Sequence, residues 1–270
     1  MAGKTLRDLV ICIKGAGEQA SGIAWRLYQA NLCKIVMIEQ PVPLAVRREV
    51  SFCEAVISGK KTVEGVEALQ VTEPEAVASV WQSGKIAVLV DPKWQIVQRI
   101  GPDVLVDAIL AKRNLGTQIA DAPLVIGLGP GFVAARDVHM VIETNRGHNL
   151  GKVIVSGSAE PNTGIPGFIG GYDKERVLRA PISGIFKSDR KISDKVCRND
   201  LIGEVDGCGV HTQIAGIVRG LIRSGLQVEK GLKLGDIDPR GEVNCCYTIS
   251  DKSRAVAGSV LEAILRVYNS

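Results

Sequence analysis

Residues 10–39 read as a strand, a glycine turn, a helix and a second strand that ends in an acid: V-I-C-I-K, G-A-G-E-Q-A, S-G-I-A-W-R-L-Y-Q-A-N-L, C-K-I-V-M-I-E. Gly15, Gly17 and Ala20 fit the pattern G-x-G-x-x-G/A, and Glu39 lies 22 residues beyond Gly17. This is the spacing of a dinucleotide-binding βαβ unit. The first glycine allows the tight turn, and the second lets a phosphate approach the backbone. A small third residue lets helix and strand pack, and the acid can grip a ribose diol. The context agrees. Leu9–Ile13 is apolar, Ile23, Ala24 and Leu27 give the helix one apolar face, and Asn31 can end it in a left-handed conformation.

Glu18 complicates that reading. It stands in the first turn of the helix, where a pyrophosphate would lie. A carboxylate there gains about 0.3–1 kcal/mol from the helix dipole. Against a phosphate about 4 Å away it would lose roughly 1–4 kcal/mol. Glu18 therefore occupies the anion position itself, or meets a ligand through a sugar or a cation. Lys14, just before the turn, partly offsets its charge.

The composition narrows the partners. A net charge of +4 from 33 basic and 29 acidic residues is too mild to point to nucleic acid. Aromatic residues, at 4%, offer no platform for stacking bases. No run approaches the roughly 18–20 apolar residues of a membrane span, and residues 1–14 lack a signal-like apolar stretch. The expected location is the cytoplasm, with the seven cysteines as thiols. No C-x-x-C occurs and the three histidines are scattered, so no preformed structural zinc site is expected.

Beyond Glu39 a loop leads to Arg47 and Arg48, then to a short helix around Phe52–Ile57. Glu73–Ser83 reads as a helix, and Ile86–Val90, Val104–Leu110 and Leu124–Leu128 as strands. The alternation predicts an α/β fold with a Rossmann-like, mostly parallel sheet. Leu124–Leu128 runs into a second glycine turn, where Gly129 and Gly131 form either an anion-binding nest or a plain tight turn. After Val138–Glu143 comes T-N-R-G-H, which places Asn145, Arg146 and His148 on a strand-end loop, where α/β sheets hold ligands. His148 is a candidate for proton transfer, and His139 reads as structural. Residues 156–172, rich in Gly and Pro, read as a linker or a covering loop.

From Ile182 the chain repeats itself at an offset of 32. Ile182 matches Ile214, Gly184 Gly216, Ile185 Ile217, Val196 Val228, Gly203 Gly235 and Asp206 Asp238. Two such β-type halves resemble the barrel-sandwich fold of lipoyl and biotinyl carrier domains. Those domains carry a lysine on the hairpin between the halves. Here no lysine lies between Lys195 and Lys230, so neither lipoate nor biotin is expected. Cys208 stands near the expected tip instead, with His211 three residues on to favour its thiolate. Cys208 is thus the candidate active thiol, visiting the Rossmann site. Asp236 and Asp238 suit either a hard cation or a solvated turn paired with Arg240. E-V-N-C-C-Y-T-I reads as a strand, and Ser253–Val267 as an apolar-faced helix. The expected organisation is a cofactor-binding domain at 1–160, a barrel-sandwich module at 178–240, and a docking strand and helix at 241–270.

The blocks K-G-A-G-E-Q-A-S-G-I-A-W-R-L, V-R-R-E-V-S-F-C-E-A-V, L-V-I-G-L-G-P-G-F, V-I-E-T-N-R-G-H-N-L-G, R-V-L-R-A-P, G-L-K-L-G-D-I-D-P-R and I-S-D-K-S-R resemble the YqeB-type proteins of the selenium-dependent molybdenum hydroxylase system. The first domain is also similar to the Rossmann part of XdhC-type maturation factors. The resemblance implies an accessory role in maturing or loading a molybdenum cofactor, with delivery of selenium or sulfur as a further expectation. It also implies a hydroxylase or another maturation factor as partner; self-association into a homo-oligomer is left open. A molybdopterin dinucleotide carries a pyrophosphate and a ribose, so Gly15, Gly17 and Glu39 can serve it as they would NAD(P), with Arg47, Arg48 and Arg146 for phosphates. An NAD(P)-dependent oxidoreductase is the second expectation, although no Ser…Tyr-x-x-x-Lys arrangement occurs. A docking scaffold is the third.

Overall fold

The computed structural model describes residues 4–164 and 167–269; two residues of the Gly/Pro-rich loop, 165 and 166, lie outside them. The chain divides into two units. Unit 1 takes Met1–Pro43, Ser51–Asn162 and Ile249–Ser270, and unit 2 takes Leu44–Val50 and Thr163–Thr248.

Unit 1 is a mixed α/β layer. Its strands are β1 (Ile11–Lys14), β2 (Ile35–Glu39), β3 (Lys60–Val63), β4 (Val66–Val71), β5 (Ile86–Val90), β6 (Val104–Asp107), β7 (Leu124–Leu128), β8 (Val133–Ala134), β9 (Met140–Ile142), β10 (Val153–Ile154) and β11 (Gly157–Ser158). Nine of these form one sheet in the order β10-β9-β7-β6-β1-β2-β5-β4-β3. The six strands β5-β2-β1-β6-β7-β9 are parallel throughout. Numbered by chain order, that is 3-2-1-4-5-6, the order of a doubly wound sheet. β1, β6 and β7 are buried along their whole length, and β2 along all but its last residue, as parallel strands covered on both faces must be.

The helix Glu18–Gln29 joins β1 to β2, and Asn31 ends it with φ 63°, in the left-handed region. The C-terminal helix Asp251–Tyr268 packs against it and reaches β7, β9 and β10. A Cβ at Gly22 would collide with the Ser253 hydroxyl, so glycine permits this helix crossing. Arg254 fastens the C-terminal helix through both oxygens of Glu64, at 2.6 and 2.8 Å, and lies over the Trp25 ring. No helix among the described residues is long and apolar enough to cross a membrane.

Unit 2 consists of β12 (Val177–Arg179), β13 (Gly184–Lys187), β14 (Lys195–Val196), β15 (Leu201–Val205), β16 (Cys208–His211), β17 (Gly216–Leu221), β18 (Leu226–Val228) and β19 (Lys233–Asp238). They make two four-stranded antiparallel sheets, β12-β19-β17-β14 and β16-β15-β13-β18. The 32-residue repeat explains this pairing. It carries β12 onto β16, β13 onto β17, β14 onto β18 and β15 onto β19. Exchanging each strand for its equivalent turns the order of one sheet into that of the other. Gly184 and Gly216, equivalent by the offset, share φ 158°. The repeat begins at β12, earlier than the residue identities indicate.

Two expectations for unit 2 are corrected. Residues 242–249 are not a strand: Asn244–Tyr247 is a short helix. The Cys245 and Cys246 amides donate to the carbonyls of Glu242 and Val243, and within Asn244–Tyr247 only Cys246 is buried, where a strand would bury alternate residues. Nor are Asp236 and Asp238 in a solvated turn. Both are buried on β19, among Arg176, Arg219 and Arg240.

Candidate functional site

In a doubly wound sheet, ligands bind at the carboxyl ends of the strands where the order reverses. Here that point lies between β1 and β6, whose last residues, Lys14 and Asp107, stand side by side. The glycine turn Gly15-Ala16-Gly17 springs from it. Gly15 has φ 92°, and a Cβ there would press on the Ala108 carbonyl at 3.3 Å, so glycine is required twice over. The Gly15 amide donates to Ile38 O at 2.7 Å.

Glu39 acts on the turn as well as facing outward from β2. One carboxylate oxygen accepts from the Ala16 amide and the other from the Gln40 amide, each at 2.8 Å. Burial pushes its carboxyl above the ordinary range, against the pull of these two bonds. Each oxygen keeps a second lone pair that a sugar diol can use. Gly17 differs from Gly15: a Cβ there meets nothing within 4 Å, so open space adjoins its Cα at the start of the helix. Glu18 begins the helix, and Ala20 is buried in its first turn. Beside them the side-chain oxygen of Gln19 is buried with no hydrogen-bond partner among the described residues. Such an atom costs about 1–3 kcal/mol until something satisfies it.

Behind the turn lies a chain of buried polar groups that sequence reasoning missed apart from Lys14. The Lys14 ammonium donates to Thr117 Oγ1 at 2.8 Å, and that hydroxyl donates to Asp107 Oδ2 at 2.6 Å. Asp121 approaches Lys14 at 3.6 Å, and the Trp94 ring centre lies 5.9 Å from the ammonium. Lys14, Asp107 and Thr117 are all at most 4% exposed. Burial pushes the Asp107 carboxyl up, opposed by its bonds from Thr117 and the Ile109 amide and by the Lys14 charge. The sequence signal was an acid inside an apolar run, V-L-V-D-A-I-L. The strand ends at that acid instead of running to Leu110, which takes φ 61°.

The second glycine turn is filled by the protein itself. A Cβ at Gly129 would collide with Thr144 Oγ1, and one at Gly131 would come within 2.7 Å of the Arg113 backbone. Close packing therefore explains these glycines. The loop after β9 is likewise tied internally. Asn145 donates to Glu160 at 2.6 Å, and Arg146 holds both oxygens of Asp251 at 2.8 Å. His148 is exposed on that loop.

Arg47 and Arg48 fall in the other unit. Leu44–Val50 belongs to unit 2, where the buried Arg47 guanidinium donates to the carbonyls of Cys245 and Thr248, and Arg48 to that of Leu221. Cys208, also in unit 2, follows the two-residue turn Asp206-Gly207 and is half-buried. His211 does not assist it. Residues three apart on a strand face opposite ways, and His211 Nδ1 lies 3.1 Å from Asn199 O. Among the described residues no group of three or more His, Cys, Asp or Glu could hold a metal ion.

No family model matches the chain. Over 260 residues, 96% of its length, the chain is 47% identical to an uncharacterized protein of Escherichia coli K12, YqeB; it spans 48% of that protein. Among solved structures, TcdA (CsdL) is 11% identical with a TM-score of 0.35, covering 98% of this chain and 90% of that one. An aspartoacylase family protein from Mesorhizobium loti is 14% identical with a TM-score of 0.27, covering 84% of each. Likenesses this slight bear on neither fold nor chemistry.

Proposed function

We propose that unit 1 binds a nucleotide-containing cofactor at the β1/β6 switch point, and that the protein serves as an accessory factor for a selenium-dependent molybdenum hydroxylase. The carrying observation is the open face of Gly17, at the reversal of a doubly wound sheet. The unsatisfied oxygen of Gln19 supports it. Gly17 and the helix N-terminus would hold a pyrophosphate, with Glu39 on a ribose. The accessory role rests on the resemblance to YqeB-type proteins, with a molybdopterin dinucleotide as the fitting cofactor and a hydroxylase or another maturation factor as partner.

In the same reading unit 2 is a carrier-like barrel sandwich without its lysine. The exchange of equivalent strands between its two sheets supports this. Cys208 is then the thiol available for selenium or sulfur, and its alkylation rate against that of free cysteine tests the assignment.

One observation favours an NAD(P)-dependent oxidoreductase instead. The Lys14–Thr117–Asp107 chain can hold a proton beside the same crevice. Titration of the full chain with NADH, NADPH and cytidine or guanosine dinucleotides separates the readings. The accessory reading expects micromolar binding of a cytidine or guanosine dinucleotide, weakened about tenfold or more by Gly17→Ala. Steady oxidation of NADPH would replace it with the oxidoreductase, and binding of none would leave a scaffold.

A further inference from the structure

A cavity of about 360 Å³ opens on unit 2 where the edge strands β12 and β16 meet. It lies wholly within this unit and owes nothing to the reading of unit 1. Its walls follow the internal repeat. Arg179 and His211 are equivalent by the 32-residue offset, as are Leu178 and Val210, and Val177 and Gly209. The cavity therefore sits where the two halves present the same strand to each other. Buried Val177, Leu178 and Val210 make an apolar floor, and exposed Arg179 and His211 stand at the mouth.

Lys174 joins them from outside the repeat. Its ammonium has no partner among the described residues. Arg179 spends one N–H on the Gly231 carbonyl at 3.0 Å and keeps the others. His211 is anchored through Nδ1 on Asn199 O, which leaves Nε2 without a protein partner among the described residues. Among the described residues no carboxylate lines the cavity.

These features choose between occupants. Free strand edges invite an added peptide strand. A strand inserted between β12 and β16 would need about 9.5 Å, twice the usual spacing. Their Cα atoms already come within 8 Å of one another. A small molecule fits, since the volume lies at the low end for ligand pockets. Two full positive charges, an imidazole and no lining carboxylate match a dianion better than a monoanion.

We infer that this cavity is a binding site for a small phosphate monoester, its dianionic head between Arg179, Lys174 and His211 and its apolar part on Leu178 and Val210. Phenyl phosphate is the probe, titrated into the full-length protein by calorimetry and by histidine NMR. Saturable binding is expected, shifting the His211 ring resonances. It should weaken by about fivefold or more in Arg179→Gln and in His211→Gln, while Lys187→Gln, an exposed charge on β13, leaves it unchanged. Should Arg179→Gln fail to fold, Lys174→Gln takes its place. No saturation by about 10 mM would overturn the site. So would an equal loss in Lys187→Gln, which means attraction to net charge alone. Benzoate binding as tightly as phenyl phosphate would overturn the ligand class.

Discussion

In unit 2 the Asp236 and Asp238 carboxylates lie among three guanidinium groups, whereas in unit 1 Asp107 meets its cation, Lys14, only through the hydroxyl of Thr117. The two clusters are similarly buried, and the carboxyls of Asp238 and Asp107 shift in opposite directions. For Asp238, burial alone would raise the value, but the bonds and charge of Arg240, with Arg219 behind, hold it below 3.8. For Asp107 burial wins, and the value rises above 3.8. A buried carboxylate saturated by arginines is a structural brace. One that remains under-compensated beside an open crevice is the arrangement from which chemistry or ligand binding is drawn.

The sharpest way to break this contrast is Asp236→Ala, which strands Arg176 and Arg219 in the interior. It should cost about 3–5 kcal/mol, read as lost hydrogen-exchange protection in β17 and β19. A loss under about 1 kcal/mol would show that the arginines do not depend on the carboxylate.

Next in size is Lys14→Met, which exchanges the buried cation for an apolar chain of similar length. Unfolding should move by no more than about 1 kcal/mol, while dinucleotide affinity falls about tenfold. The three tryptophans, Trp25, Trp81 and Trp94, all lie in unit 1, so their fluorescence follows its unfolding in urea. A large loss of stability with unchanged affinity would make Lys14 a brace like the arginines.

The smallest effect is on pH dependence, and its sign differs between the units. Because the folded Asp107 value is raised, the folded state binds more protons than the unfolded one above about 3.8. Unit 1 should lose stability as pH rises through that window, at no more than about 1.4 kcal/mol per pH unit. Asp107→Asn should flatten this slope in urea titrations followed by tryptophan fluorescence. Asp238, being lowered, contributes stability that is complete above 3.8 and is lost as pH falls through its folded value. Unit 2 should therefore weaken only in acid, and identical slopes in both units would remove the distinction.

What the sequence made legible was local. The glycine turn, its two strands and the left-handed Asn31 follow from short-range sterics and appear where the spacing places them. The 32-residue repeat was visible from Ile182 because matched glycines serve matched turns. Its first strand was not, since Arg179 against His211 and Val177 against Gly209 share a position but differ in size and shape. Thr117 was invisible for another reason. It meets Lys14 and Asp107 across 103 and 10 residues, through a segment without regular pattern. The assignment of Arg47 to unit 2 was invisible because the chain leaves unit 1 after Pro43 and returns at Ser51, an excursion no periodicity marks.

That excursion and the C-terminal helix have a consequence for synthesis. Residues 163–248 of unit 2 emerge before the helix that packs on Glu18–Gln29 exists. Until Ser253 is made, the first helix has its Gly22 face bare. The helix pair that meets at Gly22 and Ser253 thus closes only after residues 163–248 have been made.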